Sequence, residues 1–138
     1  MDPIYLDYNA TTPIDPEIAE TILPFIIHHY GNPSSTHAYG TFASQAVNNA
    51  RKQVSDMLNC DPEEVIFTSG GTESNNHAIK GIASTYRHKG NHIITSSVEH
   101  PAVAEVCKWL ETQGYRITYL TVDKLGSIDT VELETAIT

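Results

Sequence analysis

Two short segments of this 138-residue chain hold side chains suited to chemistry. The first is Ser69-Gly70-Gly71-Thr72-Glu73-Ser74. Paired glycines let a backbone turn tightly and approach a ligand closely. Thr72 is placed to cap a following helix, and the free N–H groups and positive end of that helix suit a phosphate. The GxxxxGK[ST] spacing of a P-loop and its lysine are missing, and the pattern is not GxGxxG. Taken alone, a plain glycine turn with a capping threonine explains the segment about as well as a phosphate site does. The second segment is Ser96-Ser97-Val98-Glu99-His100-Pro101. An imidazole at His100 could serve as a general acid or base, or lie as a flat ring against a planar cofactor. Taken alone, a loop histidine that caps a helix is the simpler reading.

Other reactive side chains read as structural. His28 and His29 fall at a helix end, where the dipole favours a cation. Cys107 lies on the apolar stripe of its helix and reads as a packing thiol. Cys60 sits beside a turn with nothing nearby in sequence to activate it. Asp61, Glu63 and Glu64 form a solvated turn, and Trp109 covers a helix face. Neither cysteine has metal-ligand spacing, and no metal is expected.

The elements that must position these residues are legible from periodicity. Asp15-Pro16 opens a first helix with the stripe Ile18, Ile22 and Ile26; Pro24 should kink it and Gly31 end it. Phe42, Ala46, Ala50, Val54, Met57 and Leu58 mark a second helix. Asp61-Pro62 is a turn, and Val65-Ile66-Phe67-Thr68 reads as a buried strand. A helix with Ala78, Ile79, Ile82, Ala83 and Tyr86 follows, then the strand Ile93-Ile94-Thr95. Val103, Val106, Cys107 and Leu110 stripe the next helix, which stops at Gly114. Tyr115 to Val122 is a further strand, and Asp129 or Thr130 opens a last helix. Strands alternating with helices of this length imply right-handed βαβ crossovers and a parallel sheet, so the fold class is α/β. In such sheets ligands bind beyond the carboxyl ends of the strands. Both reactive segments fall on that edge, so a phosphate on one could carry a ring under the other. The sheet is small, its edges are open, and the chain reads as the first part of something longer.

Composition narrows the function. Eight basic against seventeen acidic residues give a net charge of −9, which argues against a nucleic-acid or anionic-membrane surface. Apolar residues make up 40%, enough for a folded core. No apolar run spans a membrane, and Met1-Asp2-Pro3 begins no secretory signal. A reducing compartment, the cytoplasm, is the expectation, with an organellar matrix the alternative if a leader was removed.

The stretch Phe67-Thr68-Ser69-Gly70-Gly71-Thr72-Glu73-Ser74-Asn75-Asn76 resembles the phosphate loop of cysteine desulfurases, fold-type I pyridoxal-phosphate enzymes of the class V aminotransferase family. Glu99-His100-Pro101-Ala102-Val103 resembles their ring-stacking histidine motif. Tyr5 to Pro13 (YLDYNATTP) and Gly31 to His37 (GNPSSTH) resemble two further signatures, and Asp123 to Asp129 (DKLGSID) resembles the loop after their third strand. The motifs stand in the right order and span nearly the whole chain, a far more specific signal than any one of them.

The resemblance implies that Gly71 and Thr72 hold the phosphate of pyridoxal 5′-phosphate. It implies that His100 stacks on the pyridine ring and takes part in proton transfer. The Asn9–Thr12 segment would lie near the substrate or a dimer partner. It implies an N-terminal segment, 1–14, and an incomplete cofactor-binding large domain, 15–138. The family reaction takes sulfur from L-cysteine, leaves alanine, and carries the sulfur as an enzyme persulfide to an acceptor protein, for iron–sulfur cluster assembly or other uses. Selenocysteine lyases share these motifs. The Ser-x-His-Lys motif that tethers the cofactor is not among these residues, and neither Cys60 nor Cys107 matches the persulfide cysteine. The chain alone is therefore expected to be inactive and to hold the cofactor weakly. It would be the N-terminal portion of a desulfurase, homodimeric or paired with a desulfurase chain. The competing readings are a non-catalytic truncated form that binds a full-length desulfurase, and an unrelated small phosphate-ester binder.

Overall fold

A computed structural model describes residues 3–138; Met1 and Asp2, part of the signal-segment reading, lie outside the described residues. The backbone divides into two compact units, Met1–Ile66 and Phe67–Thr138.

The first unit carries α1 (Pro16–Ile27) and α2 (Ala38–Leu58). Asp15 caps α1, its Oδ1 accepting from the Glu17 N–H at 2.8 Å, with Pro16 at the first helical position. The helix stops at Ile27, short of the expected Gly31. Its end is set at Pro24, whose carbonyl takes the N–H groups of both His28 and His29, at 2.8 and 2.9 Å. His28 is thereby the C-cap. No α1 residue is buried, and its expected stripe is open: Ile18, Ile22 and Ile26 are 53%, 43% and 70% exposed.

Helix α2 begins at His37, whose Nδ1 accepts from the Gly40 N–H at 3.3 Å, and ends at Asn59 in the left-handed region, φ 54°. Its buried residues are Gly40, Ala43 and Ser55, whereas Met57 and Leu58 of the expected stripe are exposed. The loop before the helix accounts for the close packing at Gly40. The turn at Asn32–Ser35 folds back onto the helix start so closely that a Cβ on Gly40 would stand 2.2 Å from the Ser35 carbonyl oxygen. A Cβ on Gly31 would stand 2.2 Å from that of Tyr39. Small residues are required where backbone meets backbone. After α2, Pro62–Glu64 forms a 3-10 turn, and the Asp61 N–H donates to the Glu64 carboxylate at 2.9 Å. The acidic cluster is the turn it was expected to be.

The second unit holds α3 (Gly71–Tyr86), β1 (His92–Ser96), α4 (Pro101–Thr112), β2 (Arg116–Leu120) and α5 (Thr130–Ala136). The strands β1 and β2 pair in parallel, His92 opposite Arg116 through Ser96 opposite Leu120, with α4 as the crossover. The expected strand at 65–68 does not form. Extended backbone becomes a strand only with a neighbour to complete its ladder, and the described sheet has two strands, β1 and β2. Ile66 is 60% exposed rather than buried. The core joins Ala83 of α3, Val106 and Leu110 of α4, and Tyr115, with Ile79, Ile93 and Ile117 against it. The Tyr115 hydroxyl donates to the Ala83 carbonyl at 2.7 Å, so its polar end is satisfied inside. Helix α4 keeps three of its four stripe residues, Val106, Cys107 and Leu110, fully buried. It ends at Gln113 before Gly114, φ +84°.

Beyond β2, Val122 and Ile128 form an antiparallel bridge across a turn. Asp123 Oδ1 accepts from the Leu125 and Ser127 N–H groups at 2.7 and 3.0 Å, and Gly126 takes φ +82°. The Ser127 and Leu125 donors hold the Asp123 carboxyl below its usual range. Asp129 then caps α5, accepting from the Val131 N–H at 2.8 Å. Among the described residues no helix is long and apolar enough to cross a membrane.

Candidate functional site

The site is built at the starts of α3 and α4. Helix α3 is capped by Gly70, not by Thr72, which stands inside the first turn. No side chain caps the helix; Glu73 instead reaches back to the loop, its Oε2 accepting from the Ser69 N–H at 2.7 Å and the Ser69 hydroxyl at 2.6 Å. These two hydrogen bonds lower the Glu73 carboxyl below its usual range, so it is ionised at neutral pH. The Thr68 and Ser74 hydroxyls meet at 2.6 Å across the same loop, and each also reaches the Gly70 carbonyl. The loop is thus braced by Ser69, Glu73, Thr68 and Ser74. That leaves Gly71 and the Thr72 hydroxyl outside the bracing.

Gly70 and Gly71 contrast with Gly31 and Gly40. A Cβ built on Gly70 or Gly71 would meet no atom within 4 Å. Gly70 has extended backbone, φ 161°, and Gly71 opens a helix, so neither conformation demands glycine. Neither packing nor strain within the chain explains the pair.

His100 is the N-cap of α4. Its Nδ1 accepts from the Ala102 N–H at 3.1 Å, and Pro101 occupies the first helical position. The simpler expectation for this histidine is therefore correct as far as it goes. Thr72 and His100 also line one open groove of ≈ 420 Å³ between α3 and α4. Asn76, Lys80, Glu105 and Trp109 complete the polar and aromatic part of its wall. Thr72, Asn76 and Lys80 recur at the four-residue spacing of one helical face, a signal available in the sequence had that face been known to be open. Trp109 is half-exposed, with the Lys80 ammonium 4.7 Å from its ring centre.

The remaining sequence candidates stand elsewhere. Cys107 is 1% exposed, and burial, with Glu99 and Glu111 nearby, pushes its thiol up, the opposite of an activated nucleophile. Cys60 is half-buried beside the acidic turn. Asn9–Thr12 is exposed in the first unit, where the Thr11 hydroxyl meets that of Tyr5 at 2.6 Å. His29 packs at 4.4 Å against Phe42. Among the described residues no three His, Cys, Asp or Glu gather to hold a metal. The residues present do fit a phosphorylated aromatic group: a glycine-opened helix start with a threonine hydroxyl on one side of the groove, a flat imidazole on the other.

Comparison with known proteins places the chain in a family. The aminotransferase class-V pattern matches residues 4–138, and the chain belongs to that family. The cysteine desulfurase of Rattus norvegicus is 51% identical over 99% of this chain, which spans 31% of that protein. The cysteine desulfurase IscS of Methanosarcina thermophila is 52% identical over 97% of the chain, or 33% of its own length. A solved NifS-like protein matches with a TM-score of 0.90 at 38% identity, over 97% of this chain and 37% of that one. SspA in complex with cysteine matches with a TM-score of 0.87 at 40% identity, over 97% of this chain and 39% of that one. The chain thus spans about a third of the relatives it matches, and aligns with the α/β fold of these structures.

Proposed function

We propose that the chain is the N-terminal, phosphate-holding portion of a pyridoxal-phosphate-dependent cysteine desulfurase. The observation that supports this best is the meeting of Thr72 and His100 on one groove, from two motifs on different helices. The Gly71 N–H, the Thr72 hydroxyl and the positive end of α3 would bind the phosphate. The His100 ring, held by its cap on α4, would lie against the pyridine. Pyridoxal phosphate, when bound, supplies the electron sink that weakens bonds at the substrate's α-carbon. This chain's residues orient it and shield one face. The substrate would be L-cysteine, with its sulfur leaving as an enzyme persulfide for an acceptor protein. The Ser-x-His-Lys motif and the persulfide cysteine are not among these 138 residues. The chain by itself therefore binds cofactor loosely and releases no alanine.

The test is titration of the purified chain with pyridoxal phosphate and with pyridoxal, followed by absorbance and fluorescence. Expected is weak binding that needs the phosphate and falls in Thr72→Ala. Equal binding of the two compounds, or alanine formed from cysteine by this chain alone, overturns the reading. A companion desulfurase chain is a second element of the proposal, supported by the open apolar face of α1. Absence of co-elution with a full-length desulfurase would count against it.

A further inference from the structure

We propose that His100 exchanges protons only when it gives up capping α4. A backbone N–H can only donate, and that of Ala102 donates to His100 Nδ1 at 3.1 Å. In the neutral ring Nδ1 is therefore bare and the proton sits on Nε2. Pro101 has no N–H, so Ala102 is the first donor the helix end offers this ring. In that state His100 is a flat surface and a hydrogen-bond donor at Nε2. It is not a base, because the one basic lone pair is in use. It is not an effective acid either, because losing the Nε2 proton would leave an imidazolate anion. Taking up a proton forms an Nδ1–H bond that points at the Ala102 N–H, and the cap must open. The proton comes from solvent or from a bound reactant, and the Ala102 amide is left for water.

The charged groups beside the ring have partners of their own. On α3, the Lys80 ammonium lies 4.7 Å from the Trp109 ring centre. On α4, Glu105 binds Lys108 at 2.7 Å. In the preceding loop, Glu99 takes the Ser96 hydroxyl at 3.0 Å. The cap is thus the contact most directly coupled to ring protonation. The catalytic meaning rests on the proposed cofactor site: a capped His100 positions and polarises, and proton transfer through it accompanies a loosened α4 start. The coupling itself does not depend on the cofactor.

The experiment is nitrogen-detected NMR of the isotope-labelled full chain. Long-range ring correlations are expected to show His100 protonated on Nε2 at neutral pH. On acidification, the Ala102 amide shift should move, and its exchange protection fall, with the same midpoint as the His100 ring. In His100→Asn, whose side-chain oxygen can still accept from Ala102, that amide should become independent of this titration. His100 protonated on Nδ1, or an Ala102 amide that ignores the His100 titration, overturns the proposal. The wild-type titration decides even if the variant is poorly folded. Pyridoxal phosphate that fails to shift the Gly71 and Thr72 amides would defeat the cofactor reading and leave the coupling intact.

Discussion

Alanine at Gly40 and alanine at Gly71 should have opposite consequences, although both are single methyl additions near a helix start. At Gly40 the new Cβ would sit 2.2 Å from the Ser35 carbonyl oxygen and 2.7 Å from that of Asn32. These are backbone atoms, and the loop that carries them is pinned by the Ser35 N–H on the Asn32 carbonyl at 3.0 Å. No flexible side chain can move aside. Overpacking of this kind costs about 1–3 kcal/mol, and alanine's better helix propensity returns up to about 1 kcal/mol. The net loss is about 1–2 kcal/mol, a melting shift of roughly 4–8 °C for a chain of this size. At Gly71 the methyl meets nothing within 4 Å in a helical backbone. Stability should hold or rise by about 0.4–1 kcal/mol, through a less flexible unfolded chain. Because a helical Cβ tilts toward the N-terminus, that methyl would occupy the space that the proposed phosphate site requires. The assay is a pair of circular-dichroism melts with pyridoxal-phosphate titrations on the same samples. Gly71→Ala with undiminished cofactor binding refutes the argument that the glycine is kept for a ligand. Gly40→Ala with an unchanged melt refutes the packing argument.

Three further outcomes follow from the same geometry. Leu110, 2% exposed, lies in the core of the second unit, so Leu110→Ala should lose about 2–5 kcal/mol in denaturant unfolding; a loss under 1 kcal/mol would show that this core does not hold the fold. In the native chain Cys60 should react with a thiol reagent while Cys107 waits for unfolding, as the burial that raises the Cys107 thiol implies; simultaneous modification of both would contradict it. His92 is held below its ordinary value by desolvation and by the Arg116 charge, so the folded state binds fewer protons than the unfolded one. The stability this gives is present above the ordinary value of 6.5 and fades as pH falls below it; melting temperatures between pH 8 and 5 should drop less steeply in His92→Gln, and equal slopes would exclude the assignment.

The motifs and the local signals were legible without coordinates. Asp15, His100 and Asp129 announce helix starts because capping chemistry is local: a side-chain acceptor needs only the next two or three N–H groups. The α4 stripe was equally plain, since Val106, Cys107 and Leu110 recur at helical spacing whatever they pack on. Residue type and resemblance single out Gly71, Thr72 and His100. Tertiary structure decided the rest. It put Thr72 and His100 on one groove and added Asn76, Lys80 and Trp109, because which face of α3 stays open depends on how α3 lies on α4. It placed the cap of α3 at Gly70 rather than at Thr72. It kept 65–68 outside the described two-stranded sheet and left the α1 stripe uncovered, because an apolar run states a preference for burial and cannot supply the neighbour that completes a ladder. It also separated two kinds of glycine that read alike in sequence: Gly31 and Gly40 are required by backbone a few ångströms away, and Gly70 and Gly71 face open space.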